Sequence, residues 1–186
     1  MTPIRPDLLS SLPGLVVARV SAALPDLAQC STMAGKLDLS TLKSISARAP
    51  AVLVSHLGIG ATRAFSGPEW HYSARLAAFV LTRDRPGLQR DVAAANIVQV
   101  LMSMIPGATW GVDPLGPAER VDAEALTARG LREAGITIWA VVWQQPLILT
   151  ARPATEVPLP LELYVGWAPE IGAAHEADYE RIGGEP

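Results

Sequence analysis

The side chains in this sequence that could do chemistry are few, and their spacing suits little of it. The histidines are His56, His71 and His175, and none stands in a metal-ligand spacing such as HxxxH. Cys30 is the single cysteine, which excludes an intrachain disulfide and fits a reducing compartment. His56 directly follows Ser55, as half of a nucleophile–base pair might be drawn. The surrounding residues have strand character, though, and neighbours on a strand point to opposite faces, so these two side chains diverge. His56 or His71 acting with Asp84 is the pairing left for a small hydrolase, and neither histidine sits on a recognisable elbow or metal site. Gly58-Ile59-Gly60 follows a strand, as a dinucleotide-binding loop does. It lacks the third glycine, the helix directly after it and the distal acidic residue, and is read as a simple turn. HEADYE gathers His175, Glu176, Asp178 and Glu180, the makings of a cation site. Without a rigid scaffold it is read as a solvated chain end. No catalytic residue, metal or cofactor is expected.

Composition narrows the class further. A chain of 186 residues is one domain of ordinary size, and 49% of it is apolar, enough for a real core. The net charge of −3 offers no general attraction to phosphate backbones, so no sequence-specific nucleic-acid binding is expected. MTPIRPDLLSS has no basic segment followed by an apolar run, so no signal peptide is expected. The longest apolar run, around ITIWAVVW, falls far short of the roughly 20 residues of a membrane span. These traits lead to the expectation of a soluble protein made in the cytosol, with no membrane partner.

The elements that would position any site follow from periodicity. Leu8, Leu12, Val16, Val20 and Leu24 recur every four residues, one face of a helix whose firm part is expected to start at Pro13 and which Pro25 ends. Gln29–Met33 suits a short edge strand. Ser40 suits the N-cap of a short helix over Thr41–Arg48, stopped by Pro50. Ala51–Leu57, Trp70–Thr82 and Ile136–Trp143 read as core strands. On the second of these, Trp70, Tyr72, Ala74, Leu76, Ala78 and Val80 form one face. The other face starts wet, with His71, Ser73 and Arg75, and ends dry, with Ala77, Phe79 and Leu81, so its cover extends over the later half only. Ile136–Trp143 is apolar on both faces, as a strand inside a sheet covered on both sides must be. Trp70, Trp110, Trp139 and Trp143 are read as core or interface aromatics.

The helix expected over Leu88–Ile105 carries no charge after Asp91. Asp84 and Arg85 close the turn before it, with the carboxylate near the helix N-terminus where the dipole favours it. Ala94, Ile97, Val98, Leu101 and Ile105 make its core stripe, Met104 stands at the margin, and Gly107 suits the C-terminal cap. Asn96, Gln99 and Ser103 on the opposite line are polar but uncharged. A face meant for bulk water usually carries Lys or Glu, so this one is expected to meet a second protein or a loop of its own chain. Gly111–Pro117 is a loop, and Arg120–Arg129 adds an edge strand or a short turn. The domain is placed at residues 1–151. Residues 152–186 are proline-rich without a helix or strand period, yet keep Leu159, Leu161, Leu163, Tyr164, Val165 and Trp167 together. They are read as an extended C-terminal arm lying on its own domain or on a neighbour. The tentative interface residues are Asn96, Gln99, Ser103, Leu161, Tyr164 and Trp167.

The strand APAVLVSHLG, the strand–turn–helix WHYSARLAAFVLTRDRPG with the helix after it, the late strand ITIWAVVWQQPLIL and the tail LYVGWAPEIGAAHEADY stand in an order that resembles the tail terminator (tail completion) family of Mu-like bacteriophages and prophages. The similarity covers nearly the whole chain, and none of its motifs is catalytic. It implies an α+β fold, with a central mixed, largely antiparallel sheet covered by two main helices. It also implies a non-enzymatic virion protein of the tail's neck region, made in the host cytoplasm. Such a protein assembles as a ring, by kinship a hexamer, that caps the head-proximal end of the tail tube and stops its polymerisation. The implied partners are further copies of itself, the tail tube protein, a head–tail connector or neck protein, and the sheath where the tail is contractile. Any DNA would pass through the ring. A neck or connector protein has similar size and element content and is the alternative within assembly proteins. A small hydrolase and a cytosolic scaffold domain are the alternatives outside them.

Overall fold

The computed structural model describes residues 7–34, 48–64, 69–113, 115–126, 134–150, 163–165, 174 and 180–182. The chain divides into two compact units, Met1–Ala151 and Arg152–Pro186. The larger unit is α+β. Its elements are α1 (Leu8–Ala23), β1 (Gln29–Met33), β2 (Ala51–Ala64), β3 (Glu69–Arg83), α2 (Arg90–Met104), β4 (Glu119–Ala125) and β5 (Ile136–Thr150). The strands form one mixed sheet in the order β1-β2-β3-β5-β4. β1 runs parallel to β2, and every other pairing is antiparallel.

The longest strands set the frame. β3 pairs with β5 without interruption from Glu69↔Thr150 to Arg83↔Ile136, a ribbon roughly 50 Å long at the usual rise of a strand. Both strands exceed their expected bounds, and so does β2, which like β5 runs seven residues further than expected. The Gly58-Ile59-Gly60 segment is therefore not a turn but part of β2, where a register shift falls between His56 and Gly58. Gly58 takes a φ of +153° there, backbone that a side-chain-bearing residue rarely adopts, so the glycine permits the bulge. Pro146 lies within β5, past the last pairing of β4 at Glu119↔Gln144. Its carbonyl accepts a hydrogen bond from the Gly116 N–H at 2.8 Å, so the edge that proline interrupts is met by a loop instead of a strand.

One sheet face is covered by both helices. α1 packs on β1 and β2, and α2 packs on β3 and β5. Leu8, Leu12, Val16 and Val20 of α1 and Ile97, Val98, Leu101 and Ile105 at α2 meet Val52, Val54, Leu76, Ala78, Val80, Val141 and Trp143 of the sheet. The helix starts at Leu8, ahead of the expected start at Pro13. Asp7 holds that first turn, its carbonyl accepting both the Ser11 N–H and the Ser10 hydroxyl at 2.9 Å. An interior proline costs about 3 kcal/mol, and burying Leu8 and Leu12 returns about 2 kcal/mol each. α2 starts later than expected, because Leu88 is bridged back to Arg85 around Gly87 at φ +80°. The expected role of Asp84 is present: its Oδ1 accepts the Arg90 N–H at 3.0 Å. On the other face, Ala51, Leu53, Ala77, Phe79, Leu81, Ile136, Ile138 and Ala140 form a second buried cluster that includes no residue of either helix. The wet-to-dry change along β3 is observed, with Arg75 exposed and Ala77 fully buried. The expected helix over Thr41–Arg48 lies outside the described residues, apart from Arg48.

The loop after α2 closes the helix-side core through Gln145, whose side chain is fully buried. Its Oε1 accepts the Trp110 indole N–H at 2.7 Å, and its Nε2 donates to the carbonyls of Ala108 at 3.1 Å and Gly116 at 2.5 Å. That holds Trp110, at φ +54°, against Trp143 with ring centroids 6.3 Å apart. In the smaller unit, β6 (Leu163–Val165) and β7 (Glu180–Ile182) pair antiparallel. The segment is thus not without strands, as its lack of period suggested. Three residues are too few to display an alternation.

Replacing Gln145 with Leu keeps the volume and strands one N–H and two carbonyls. Unfolding in urea should then show a stability loss of about 3 kcal/mol, as a lower midpoint at an unchanged slope. An unchanged midpoint would show that the loop does not depend on this amide.

Candidate functional site

Among the described residues of the larger unit, three surfaces are candidates for meeting a partner, and the first lies along the outside of α2. Asn96, Gln99 and Ser103 are all exposed. The Ser103 hydroxyl donates to the Val100 carbonyl at 2.7 Å, so it is turned back on its own helix. Val92 continues this line one turn earlier and is 48% exposed, and Leu88 before it is 43% exposed. Val92 belongs to the face and its signal was present in the sequence, because counting back four from Asn96 gives it. Leu88 stands just ahead of the helix, which starts at Arg90.

The second surface adjoins the first. The C-terminal end of α1 and the start of α2 leave a groove of about 300 Å³ between them, lined by Leu24, Leu27, Ile97, Leu88, Ala93 and Asn96, with Asp26 and Arg85 at the rim. Arg85 is tied down by donating to the Ala49 carbonyl, and the lining is mainly apolar. Asp84 and Arg90 form a surface pair at 3.5 Å, with the carboxylate side chain 63% exposed. Such a pair is worth at most about 1 kcal/mol, so it positions the turn more than it stabilises the fold.

The third surface is a concavity of about 460 Å³ on the face of the sheet away from the helices. It is lined by Leu57, Gly58, Ile59, Gly60, Ser73, Arg75, Arg120 and Gln144. Arg75 stands across from Gln144 in the register. Arg120 reaches the same place from a bulge in β4, where the pairing jumps between Glu119 and Asp122. Its φ is +50°, a conformation that costs a side-chain-bearing residue about 1–2 kcal/mol. The Ser73 Oγ is closed off from solvent and has no hydrogen-bond partner.

The residues with chemical potential are not brought together. His56 pairs in register with Leu76, and His71 with Ile148. Asp84 follows the far end of β3, thirteen residues from His71 and eight from Leu76, or roughly 40 Å and 25 Å along an extended strand. Neither histidine can work with that carboxylate. Cys30 is half-buried, and burial pushes its thiol pKa up, with the Ser21 side chain opposing more weakly. That leaves it further from a reactive thiolate. Among the described residues no group of His, Cys, Asp and Glu could hold a metal ion, and no described helix is long and apolar enough to cross a membrane. Leu161 and Trp167 lie outside the described residues, and of Tyr164 only its backbone place on β6 opposite Arg181 is described.

No protein-family model matches the chain, and no curated protein matches its sequence. Among solved structures it is similar to the sheath/tube terminator of an extracellular contractile injection system, PVC, in the extended state. The identity is 12% and the TM-score 0.35, over 89% of this chain and 66% of that one. The chain therefore spans slightly less than two thirds of that protein's length. The likeness is distant and does not reach the Mu-like phage family in particular, so function rests on the chain's own residues.

The two sides of α2 should separate in a mutational test. Leu101→Asp places an unpaired charge at a fully buried position and should unfold the domain, seen as loss of the cooperative transition in circular dichroism. Val92→Glu combined with Gln99→Glu should leave the unfolding midpoint within about 0.5 kcal/mol of the parent, yet weaken association with partners. If the double variant assembles like the parent, the outer face of α2 is merely solvated.

Proposed function

We propose that this chain is a tail terminator: a structural protein that forms a ring on the head-proximal end of a phage tail tube, stops its growth and offers the surface to which the head is joined. One observation carries the reading. The outside of α2 presents Val92, Asn96 and Gln99 without a charge among them, beside an apolar groove that the exposed Leu88 also lines from just ahead of the helix. A helix face of that composition gains little from water and suits a second protein surface. The resemblance of the strand and RDRPG segments to the Mu-like family supports reading that partner as a phage tail assembly.

A ring has physical requirements that this domain can meet. Each subunit must offer two different patches that meet head to tail and close, by kinship after six copies. The groove and helix face supply one patch. The apolar centre of residues 152–186 is the candidate for reaching a neighbour. The partners in this reading are further copies, the tube protein, a neck or connector protein on the head side, and the sheath of a contractile tail. The location is the neck of the virion tail, after synthesis in the host cytoplasm. No step requires bond chemistry, a metal or a cofactor.

A tube grows through identical repeated contacts, so its own subunit has no means of closing the last ring. Cells lacking this chain should accumulate tails unattached to heads, many of abnormal length, in electron micrographs of lysates. Supplying the full chain should restore joined particles, and supplying residues 1–151 should restore few. Unattached tails of normal length would point instead to a neck or connector protein. Normal joined particles in its absence would end both readings.

A further inference from the structure

The concavity on the sheet carries a chemistry that the terminator reading does not use. Arg75 and Arg120 are both exposed and line it together, with no carboxylate among the lining residues. Leu57 adds an apolar contact and Gln144 adds hydrogen-bonding capacity. Arg120 reaches this place only through a backbone conformation in which glycine would be at ease. Strain of that kind persists where the surrounding structure enforces it, and it gathers at binding sites. The surface therefore suits an acidic segment with apolar side chains between its carboxylates.

The chain itself contains such a segment. Residues 152–186 hold seven carboxylates against Arg152 and Arg181, a net of −5, so residues 1–151 carry +2 of the chain's −3. Glu156 and Glu162 flank the apolar run VPLPL. We propose that the C-terminal segment of a second copy of this chain docks on the concavity, with its carboxylates on Arg75 and Arg120. Guanidinium forks recognise carboxylates with two parallel hydrogen bonds, which fixes direction as well as adding attraction. This rests on the ring reading and deepens it: the contact joins two unlike patches, as closure requires.

Charge exchange between copies tests it with the full chain. In one variant Arg75 and Arg120 become Glu; in another Glu156 and Glu162 become Lys. Sedimentation velocity at low and high salt should show salt-sensitive self-association of the parent, weakened at least tenfold in each variant alone. Mixing the two variants should restore it, because each receives the other's segment. Arg120→Gly should raise the melting temperature by a few degrees while weakening association, since it removes both the strain and the fork. A parent that stays monomeric at every concentration overturns the proposal. So does unaltered association in the Arg variant, in the Glu variant or in Arg120→Gly, or a mixture that fails to recover. Recovery only when all four substitutions share one chain would place the contact within a chain and overturn it too. If complementation by the parent still restores joined tails in any of these cases, the terminator reading stands without this contact. Failure of both assays would remove the two together.

Discussion

The unbroken register of β3 with β5 is the constraint from which the rest of the structure follows. Side chains alternate across a sheet, so a slip of one residue would exchange its faces entirely. Leu76 stands opposite Trp143 on the helix-covered side, while Ala77 stands opposite Val142 on the other. Slipped by one, Leu76 would meet a residue aimed at the opposite face, and neither buried cluster would close. The pairing also sets Arg75 opposite Gln144, and β4 then brings Arg120 to the same place by its bulge. The core and the arginine-bearing concavity thus share a single cause.

The helices depend on this frame more than on their own propensities. α1 has no side-chain cap, contains Pro13, and ends without a basic residue in its last turn. Its buried residues form a narrow line that has no use without the sheet beneath it. α2 likewise lacks a side-chain cap at Gln89. It is held by contacts from outside itself: Asp84 at its first N–H, and the Thr82 hydroxyl donating to the Arg90 carbonyl at 2.8 Å. Tertiary packing routinely supplies most of the stability of such helices.

Where the chain could be read from sequence, the reason is periodicity. The core stripe of α2, the two faces of β3 and the doubly apolar β5 all announce themselves by spacing, and Asp84 by its place before a helix. What stayed hidden depends on partners distant in sequence. Nothing near Gln145 reveals that it will saturate Trp110, Ala108 and Gly116, because that network joins segments more than twenty-five residues apart. Gly58 looked like a turn because a glycine at a turn and a glycine at a bulge have the same local signature. Arg120 was invisible for a related reason: its backbone conformation is imposed by the offset between β4 and β5. Val92 is legible by its spacing from Asn96, though an exposed apolar residue interrupts no pattern. The six tentative interface residues divide accordingly, with the three on α2 placed in the open and Leu161, Tyr164 and Trp167 given no side-chain setting.

The two open chemistries of the larger unit lie on opposite sides of its sheet, and that separation bears on how such a protein can assemble. The uncharged face of α2 and the apolar groove stand on the helix side, and the paired arginines stand on the other. Apolar burial is strong but indifferent to direction, so two copies meeting through the groove alone could as readily form a symmetric pair as a ring. Ionic recognition adds little net affinity at a wet surface, yet like charges refuse the wrong partner and fixed forks impose an orientation. Screening confines that effect to about 8 Å at physiological salt, so it acts once surfaces are nearly in contact. A subunit with apolar adhesion on one side and charge selection on the other therefore favours unlike patches meeting over like ones. In the ring reading, closure would then depend on the angle at which unlike patches meet rather than on tighter binding.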